Sequence, residues 1–274
     1  MTIAINTQIH RVSPQTPINL HTSLTTPPTD FEHSKKALKE QFKTESKALT
    51  HLQELMYAQS KHAVLIVFQA MDAGGKDSTI RHIMTPINPQ GCRVLNFKAP
   101  SAYERERDYL WRIHQHVPPK GCFTVFNRSH YEDVVTVSVN DFAPKHIWQK
   151  RYNHINAFEQ LLTDEGTHIL KFFLHISKDY QKHRLQRRLD RPDKHWKFDP
   201  SDLVARNHWD DYMQAYAQAF NTCSVNTDAP WYVIPAENRE YRNLAIIQII
   251  NQKLQSLDMQ YPAPQYDASQ YKIN

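Results

Sequence analysis

Apolar and polar positions alternate between two rhythms along most of the chain. Short, largely β-branched or aromatic runs recur as "HAVLIVF" (62–68), "RVLNF" (93–97), "CFTVF" (122–126), "HILKFFLHI" (168–176) and "WYVIPA" (231–236). Runs of this kind mark strands buried on both faces, as in a parallel sheet. Between them lie segments with helical character at 75–85, 103–116, 145–164, 178–190, 202–220 and 239–256. A further helix is predicted over roughly 31–59, with Leu38, Phe42, Leu49, Leu52, Leu55 and Met56 at helical spacing. Strands alternating with helices require right-handed βαβ crossovers. The predicted fold is therefore α/β: three layers, with helices on both faces of a five-stranded parallel sheet. Residues 1–30, with "TPINLHTSLTTPPTD", predict an extended N-terminal arm, either packed on the body or a neighbouring subunit or left as a tail. The body is expected over 31–262 and a C-terminal tail over 263–274.

Composition narrows the class only a little. The chain has 274 residues, 40% hydrophobic and 22% charged, which suits one large soluble α/β domain. Its 33 Lys and Arg against 28 Asp and Glu give +5, too mild an excess to set a partner by itself. Cys92, Cys122 and Cys223 are odd in number and lack zinc spacing, so a reducing, cytoplasmic setting is expected. The N-terminus carries no recognisable signal peptide, and no apolar run is long enough to span a bilayer. The sixteen histidines form no zinc-protease pattern.

Chemistry enters at "AMDAGGKDST" (70–79), directly after the first predicted strand. It nearly matches the phosphate loop G-x-x-x-x-G-K-[ST], with Ala70 for the first Gly and Asp77 for the hydroxyl residue. Only five glycines occur in the chain, and Gly74 and Gly75 stand together here, between a strand and a helix. Glycines let backbone N–H groups turn inward on an anion, and the helix N-terminus adds its positive end. Lys76 supplies a mobile ammonium for a transferring phosphate. Asp72 and Asp77 would repel a bare phosphate. Either a divalent cation belongs to the design, or one acid orients the attacking oxygen.

Two further segments join the loop. "NRSHYEDVV" (127–135) leaves a strand at the carboxyl edge of the sheet, where ligands bind in open α/β folds. Arg128 there suits bidentate phosphate recognition, and Glu132 and Asp133 add carboxylates. "KHRLQRRLDRPDKHWK" (182–197) places Arg184, Arg188 and Arg191 on one helical face before Pro192 breaks the helix. A basic helix and turn in this place, at about 180–200, predicts a helical lid that closes over phosphates.

The long motifs "QAMDAGGKD", "APSAYERERDYLWRIHQHVPPKG", "FNRSHYEDV", "RLQRRLDRPDKHWKF" and "APWYVIPAENREYRN" occur in an order that resembles the polyphosphate kinase 2 family, over roughly 32–262. The resemblance implies a P-loop kinase fold and a Mg²⁺-dependent phosphotransferase. It would move the terminal phosphoryl of inorganic polyphosphate to a nucleotide, reversibly. Members that make ATP from ADP commonly carry "FDRSWYNR" where this chain has "FNRSHYEDV". That difference implies the subgroup accepting both AMP and ADP, and it shifts metal binding from Asn127 toward Asp72 and Asp133. By the same resemblance Asp72, Lys76, Arg128 and Arg188 are catalytic. Phosphate or nucleotide contacts fall to Ala73, Gly74, Gly75, Lys76, Asp77, Ser78, Asn127, Arg128, Glu132, Arg184 and Arg187, and metal to Asp72, Asp77 and Asp133. A homo-oligomer, dimer or tetramer, is also implied, and guanine nucleotides stay open beside AMP, ADP and ATP. The alternative is an ATP-dependent nucleoside monophosphate kinase, which the altered loop disfavours. Mixed-charge helices and the small net charge disfavour a nucleic-acid-binding module, and no membrane association is expected.

Overall fold

The computed structural model describes residues 2–267 and 270–273. Its centre is β1 (Ala63–Gln69), buried at every position. The other strands are β2 (Cys92–Asn96), β3 (Phe123–Asn127), β4 (Thr167–His175) and β5 (Trp231–Pro235). All pairings are parallel, in the order β2-β3-β1-β4-β5. The register sets Phe68 of β1 beside Asn127 of β3 and Phe172 of β4, so β1 and β3 finish within one residue of each other while β4 runs on to His175. From β1 the chain leaves toward β2, and from β4 toward β5. A crevice therefore opens at their carboxyl ends, as the switch-point rule requires.

The helices are α1 (Lys35–Gln59), α2 (Lys76–Met84), α3 (Ala102–Arg105), α4 (Trp111–His114), α5 (Val135–Val139), α6 (Lys145–Asp164), α7 (Lys178–Leu189), α8 (Ser201–Asn207), α9 (Trp209–Thr222) and α10 (Arg239–Gln255). Local chemistry starts several of them: Ser34, Ser177 and Asn238 each accept a backbone N–H as N-caps. Two predicted helices divide. The segment expected over 103–116 becomes α3 and α4 because Asp108 Oδ1 takes the N–H groups of Leu110 and Trp111, at 3.0 Å each, and starts a new turn. The segment expected over 202–220 splits at His208 into α8 and α9.

The N-terminal arm lies on the body. Ile3, Ile5, Val12 and Leu20 are buried. Gln248 of α10 donates to the Ile3 carbonyl and accepts from Ile5 N–H. Arg11 bridges antiparallel to Tyr232, so the arm shields the β5 edge of the sheet. Of the stretches read as arm and tail, Met1, Ala268, Ser269 and Asn274 lie outside the described residues. Among the described residues no helix is long and apolar enough to cross a membrane.

Under the site sits a buried polar knot. Lys171 of β4 donates to Glu159 of α6, to the Tyr131 hydroxyl and to the Cys223 carbonyl. Glu159 also meets His130 and Tyr131. Burial opposes the Glu159 carboxylate, but Lys171 and His130 hold its pKa below the ordinary value. This knot anchors the 130–133 turn that follows β3.

Candidate active site

The sequence of the 70–76 loop dictates its path. Ala73 has φ +61° and Gly75 φ +98°, and a Gly74 N–H to Met71 carbonyl bond of 3.0 Å closes the turn. A Cβ on Gly74 would lie 2.8 Å from both Ala70 Cβ and the Met71 carbonyl oxygen, so that position tolerates no side chain. Ser78 Oγ and Thr79 Oγ1 both donate to the Gly75 carbonyl, so Ser78 braces the loop from behind. The N–H groups of Gly75, Lys76 and Asp77, at the start of α2, have no acceptor among the described residues, as expected in a helix's first turn. Lys76 curls back, and its Nζ donates to the Ala70 carbonyl at 2.8 Å. Burial lowers its pKa, while Asp72, Glu132 and Asp77 pull the other way.

The exit from β3 meets this loop. Arg128 takes a left-handed φ of +63°, its N–H donates to Phe68 and its Nη2 donates to Asp72 Oδ1 at 3.0 Å. Burial works against its charge, yet Glu132 and Asp72 hold its pKa above the ordinary value. Asn127 Nδ2 donates to Asp77 Oδ1 at 2.8 Å, which ties the end of β3 to the first turn of α2. Asp72, Lys76, Asp77, Asn127, Arg128 and Glu132 thus come together. Asp133 does not join them: it faces Arg151, 3.5 Å away, and burial pushes its carboxyl up to about 6. The reason is local geometry. The turn over 130–133 sends adjacent side chains in different directions, so Glu132 faces the loop and Asp133 the α6 side.

The lid helix α7 stands over the other flank. Gln181 donates to the Asp72 carbonyl at 3.0 Å and so fastens α7 to the loop. Arg188 is not free above the loop; it donates to Asp202 of α8 at 2.8 Å and to the Lys197 carbonyl. Burial first, and then Asp72, push the Asp202 carboxyl up to about 6. Arg184 is half-buried and Arg187 exposed, and neither makes an ion pair among the described residues.

The sequence profile described as Polyphosphate kinase 2 (PPK2) matches residues 32–262. This chain belongs to the polyphosphate kinase 2 family. It is similar to the AMP/ADP-polyphosphate phosphotransferase of Meiothermus ruber, 54% identical over 235 residues, 86% of this chain and 88% of that protein. The ADP-polyphosphate phosphotransferase of Rhodopseudomonas palustris is 46% identical over 244 residues, 85% of this chain and 84% of that protein. The crystal structure of polyphosphate kinase 2 from Arthrobacter aurescens TC1 superposes with a TM-score of 0.92 at 37% identity, covering 96% of this chain and 93% of that one.

Two parts of this polyphosphate kinase 2 site escape a motif-led reading. The first is a pocket of about 310 Å³ that opens onto Asp72, Arg128 and Glu132 and is walled by Thr136, Asn140, Phe142, Val204, Tyr212 and Tyr216. Its volume falls in the range of small-ligand sites. Tyr212 and Tyr216 are spaced i, i+4 on α9, a signal that also describes any core-facing helix. The second is Arg242 on α10. A Cβ on Gly75 would lie 2.6 Å from Arg242 Nη1, so this guanidinium presses directly on the glycine loop. Among the described residues its side chain finds one hydrogen-bond acceptor, Asn243 Oδ1, and it is 2% exposed. Burial lowers its pKa to about 10, and the neighbouring Arg239 and Arg184 add to the effect.

Proposed function

We propose that this chain transfers the terminal phosphoryl group of inorganic polyphosphate to AMP and ADP, reversibly. Its family membership and its 54%-identical relative support the reaction class. The observation that carries the reading is the glycine loop with two unlike flanks: a walled pocket on the Arg128 side and, on the Arg242 side, clustered arginines with no ion pair among the described residues. A nucleotide needs a pocket with a flat apolar wall, which Tyr212 and Tyr216 offer. A polyphosphate needs cations and no base pocket.

In this reading Lys76 leaves the Ala70 carbonyl and, with the N–H groups at the start of α2, holds the oxygens of the transferred group. Arg128 is held by Asp72 with its planar guanidinium toward the pocket, ready to grip an acceptor phosphate bidentately. The α7 arginines close over the reacting groups, exclude water and offset charge that develops in transfer.

Mg²⁺ is part of the proposal. Among the described residues no three His, Cys, Asp or Glu side chains gather into a metal cage. That fits an ion held by one or two carboxylates with the rest supplied by phosphate and water. Asp72 and Asp77 would hold it, and when bound it neutralises phosphate oxygens. The reading extends to a cytoplasmic location and a homo-oligomer. Three unpaired cysteines suit the first, and the exposed edge strand β2, with Val94 48% exposed, suits the second.

The test is a coupled assay of the purified protein with Mg²⁺, hexametaphosphate and either AMP or ADP. Formation of ADP or ATP is expected. Phosphoryl transfer from ATP to AMP with no response to polyphosphate would overturn the reading in favour of a nucleoside monophosphate kinase.

A further inference from the structure

Cations continue away from the loop. Arg242 presses on Gly75, and Arg239 and Arg184 lie close enough to disfavour its charge. None of the three makes an ion pair with a carboxylate among the described residues. One residue further along, Glu240 meets Lys35 of α1 at 3.3 Å, which brings the first turns of α10 and α1 side by side. From Lys35 the exposed face of α1 carries Lys36, Lys39 and Lys43, which line a shallow surface groove with Glu40. Lys36, Lys39 and Lys43 make no ion pair among the described residues. Lys35, Lys39 and Lys43 recur every four residues, about 6 Å apart along the helix, where like charges weaken a helix that has no anion beside it.

We propose that polyphosphate beyond its reacting end runs from the glycine loop, across the first turn of α10 at Arg242 and Arg239, onto the lysine face of α1. The inference rests on polyphosphate being the donor and adds where its distal part lies. A repeating polyanion can use a ladder of lysines with no fixed register, because each phosphate along it is equivalent. Short donors end before the ladder and gain nothing from it. The α1 lysines therefore act as a chain-length sensor: they strengthen the binding of long chains and leave the chemistry at the loop alone.

The experiment compares the wild-type protein with the triple variant Lys36→Gln, Lys39→Gln and Lys43→Gln. Lys35 is left in place so that its contact with Glu240 survives. Kd is measured for tripolyphosphate and for long-chain polyphosphate across a salt series, with Tm as the check on folding. For the long chain, the slope of log affinity against log salt should fall by about 0.7 for each lysine lost, while Kd for tripolyphosphate should shift less than about twofold. Equal weakening of both lengths, or an unchanged slope for the long chain, would overturn the track. If the wild-type protein neither binds polyphosphate nor transfers from it, the donor assignment itself falls, and the track with it. Transfer by the wild type with an indifferent variant removes the track alone.

Discussion

The two flanks of the glycine loop handle charge in opposite ways. On the β3 side Arg128 is paired with Asp72 and backed by Glu132, and Asn127 is bonded to Asp77. On the α10 side Arg242, Arg239 and Arg184 crowd together and make no ion pair among the described residues, and burial presses the Arg242 pKa down to about 10. A balanced flank is stable when empty and can fix a small ligand in one pose. An unbalanced flank is penalised when empty and relieved by a polyanion. Under the proposed function the difference assigns the nucleotide to the first side and polyphosphate to the second, and it can be attacked one residue at a time.

Lys76 stands between the flanks, so its loss should have the largest effect. Lys76→Ala is expected to lower kcat by at least about 10³-fold, with Tm nearly unchanged, because among the described residues its side chain gives up a single hydrogen bond, to Ala70. Steady-state kinetics and a thermal melt check both halves. Turnover within tenfold of wild type would remove the loop from the chemistry.

Next in size is a matched pair of substitutions across the loop. Arg242→Gln should raise KM for polyphosphate about 10- to 100-fold, the loss expected for one charged hydrogen bond, and leave KM for the nucleotide alone. Its stability should hold or improve, since a buried unpaired charge is removed. Arg128→Gln should do the reverse: KM for AMP or ADP rises, and stability falls by about 1 kcal/mol because Asp72 and Glu132 lose their common partner. Identical kinetic profiles for the two variants would break the comparison.

The legible and illegible parts of the site divide along the same line. The five strands and the glycine loop were open to view because buried parallel strands are continuous apolar runs and Gly74–Gly75 is rare punctuation in a glycine-poor chain. Arg128, Asp72 and Lys76 followed, being adjacent to those strand ends. Arg242 stayed hidden because its approach to Gly75 depends on how α10 packs, and nothing in "REYRN" distinguishes a buried arginine from a solvated one. The family resemblance assigns Asp133 to the metal, but neighbouring residues of a tight turn point apart, and the turn sends Asp133 to Arg151. Arg188 had the right helical face for a lid, yet Asp202, fourteen residues on, takes its guanidinium. For Arg242 and Arg188 the missing information is a contact with another segment, and for Asp133 it is the path of the turn itself.

The smallest expected effect isolates charge from scaffold on the α10 side. His10 of the arm bonds the Tyr241 hydroxyl at 2.8 Å, one residue before Arg242. Burial lowers the His10 pKa from 6.5 to about 4. A histidine whose folded pKa is depressed binds its proton more readily when unfolded, so its contribution is full above pH 6.5 and is lost as pH falls toward 4. That loss is at most about 3 kcal/mol. His168, also lowered to about 4, titrates over the same window, so the reading is the difference between wild type and His10→Gln, not either curve alone. The wild type should lose more stability than the variant between pH 7 and pH 4.5, followed by Tm. At pH 7, where His10 is neutral, the variant's KM for polyphosphate should stay within about twofold of wild type, since the substitution alters packing beside Arg242 and not its charge. A large rise in that KM would mean that the unpaired arginines depend on the arm for their position, and that the α10 flank is set by scaffold as much as by charge.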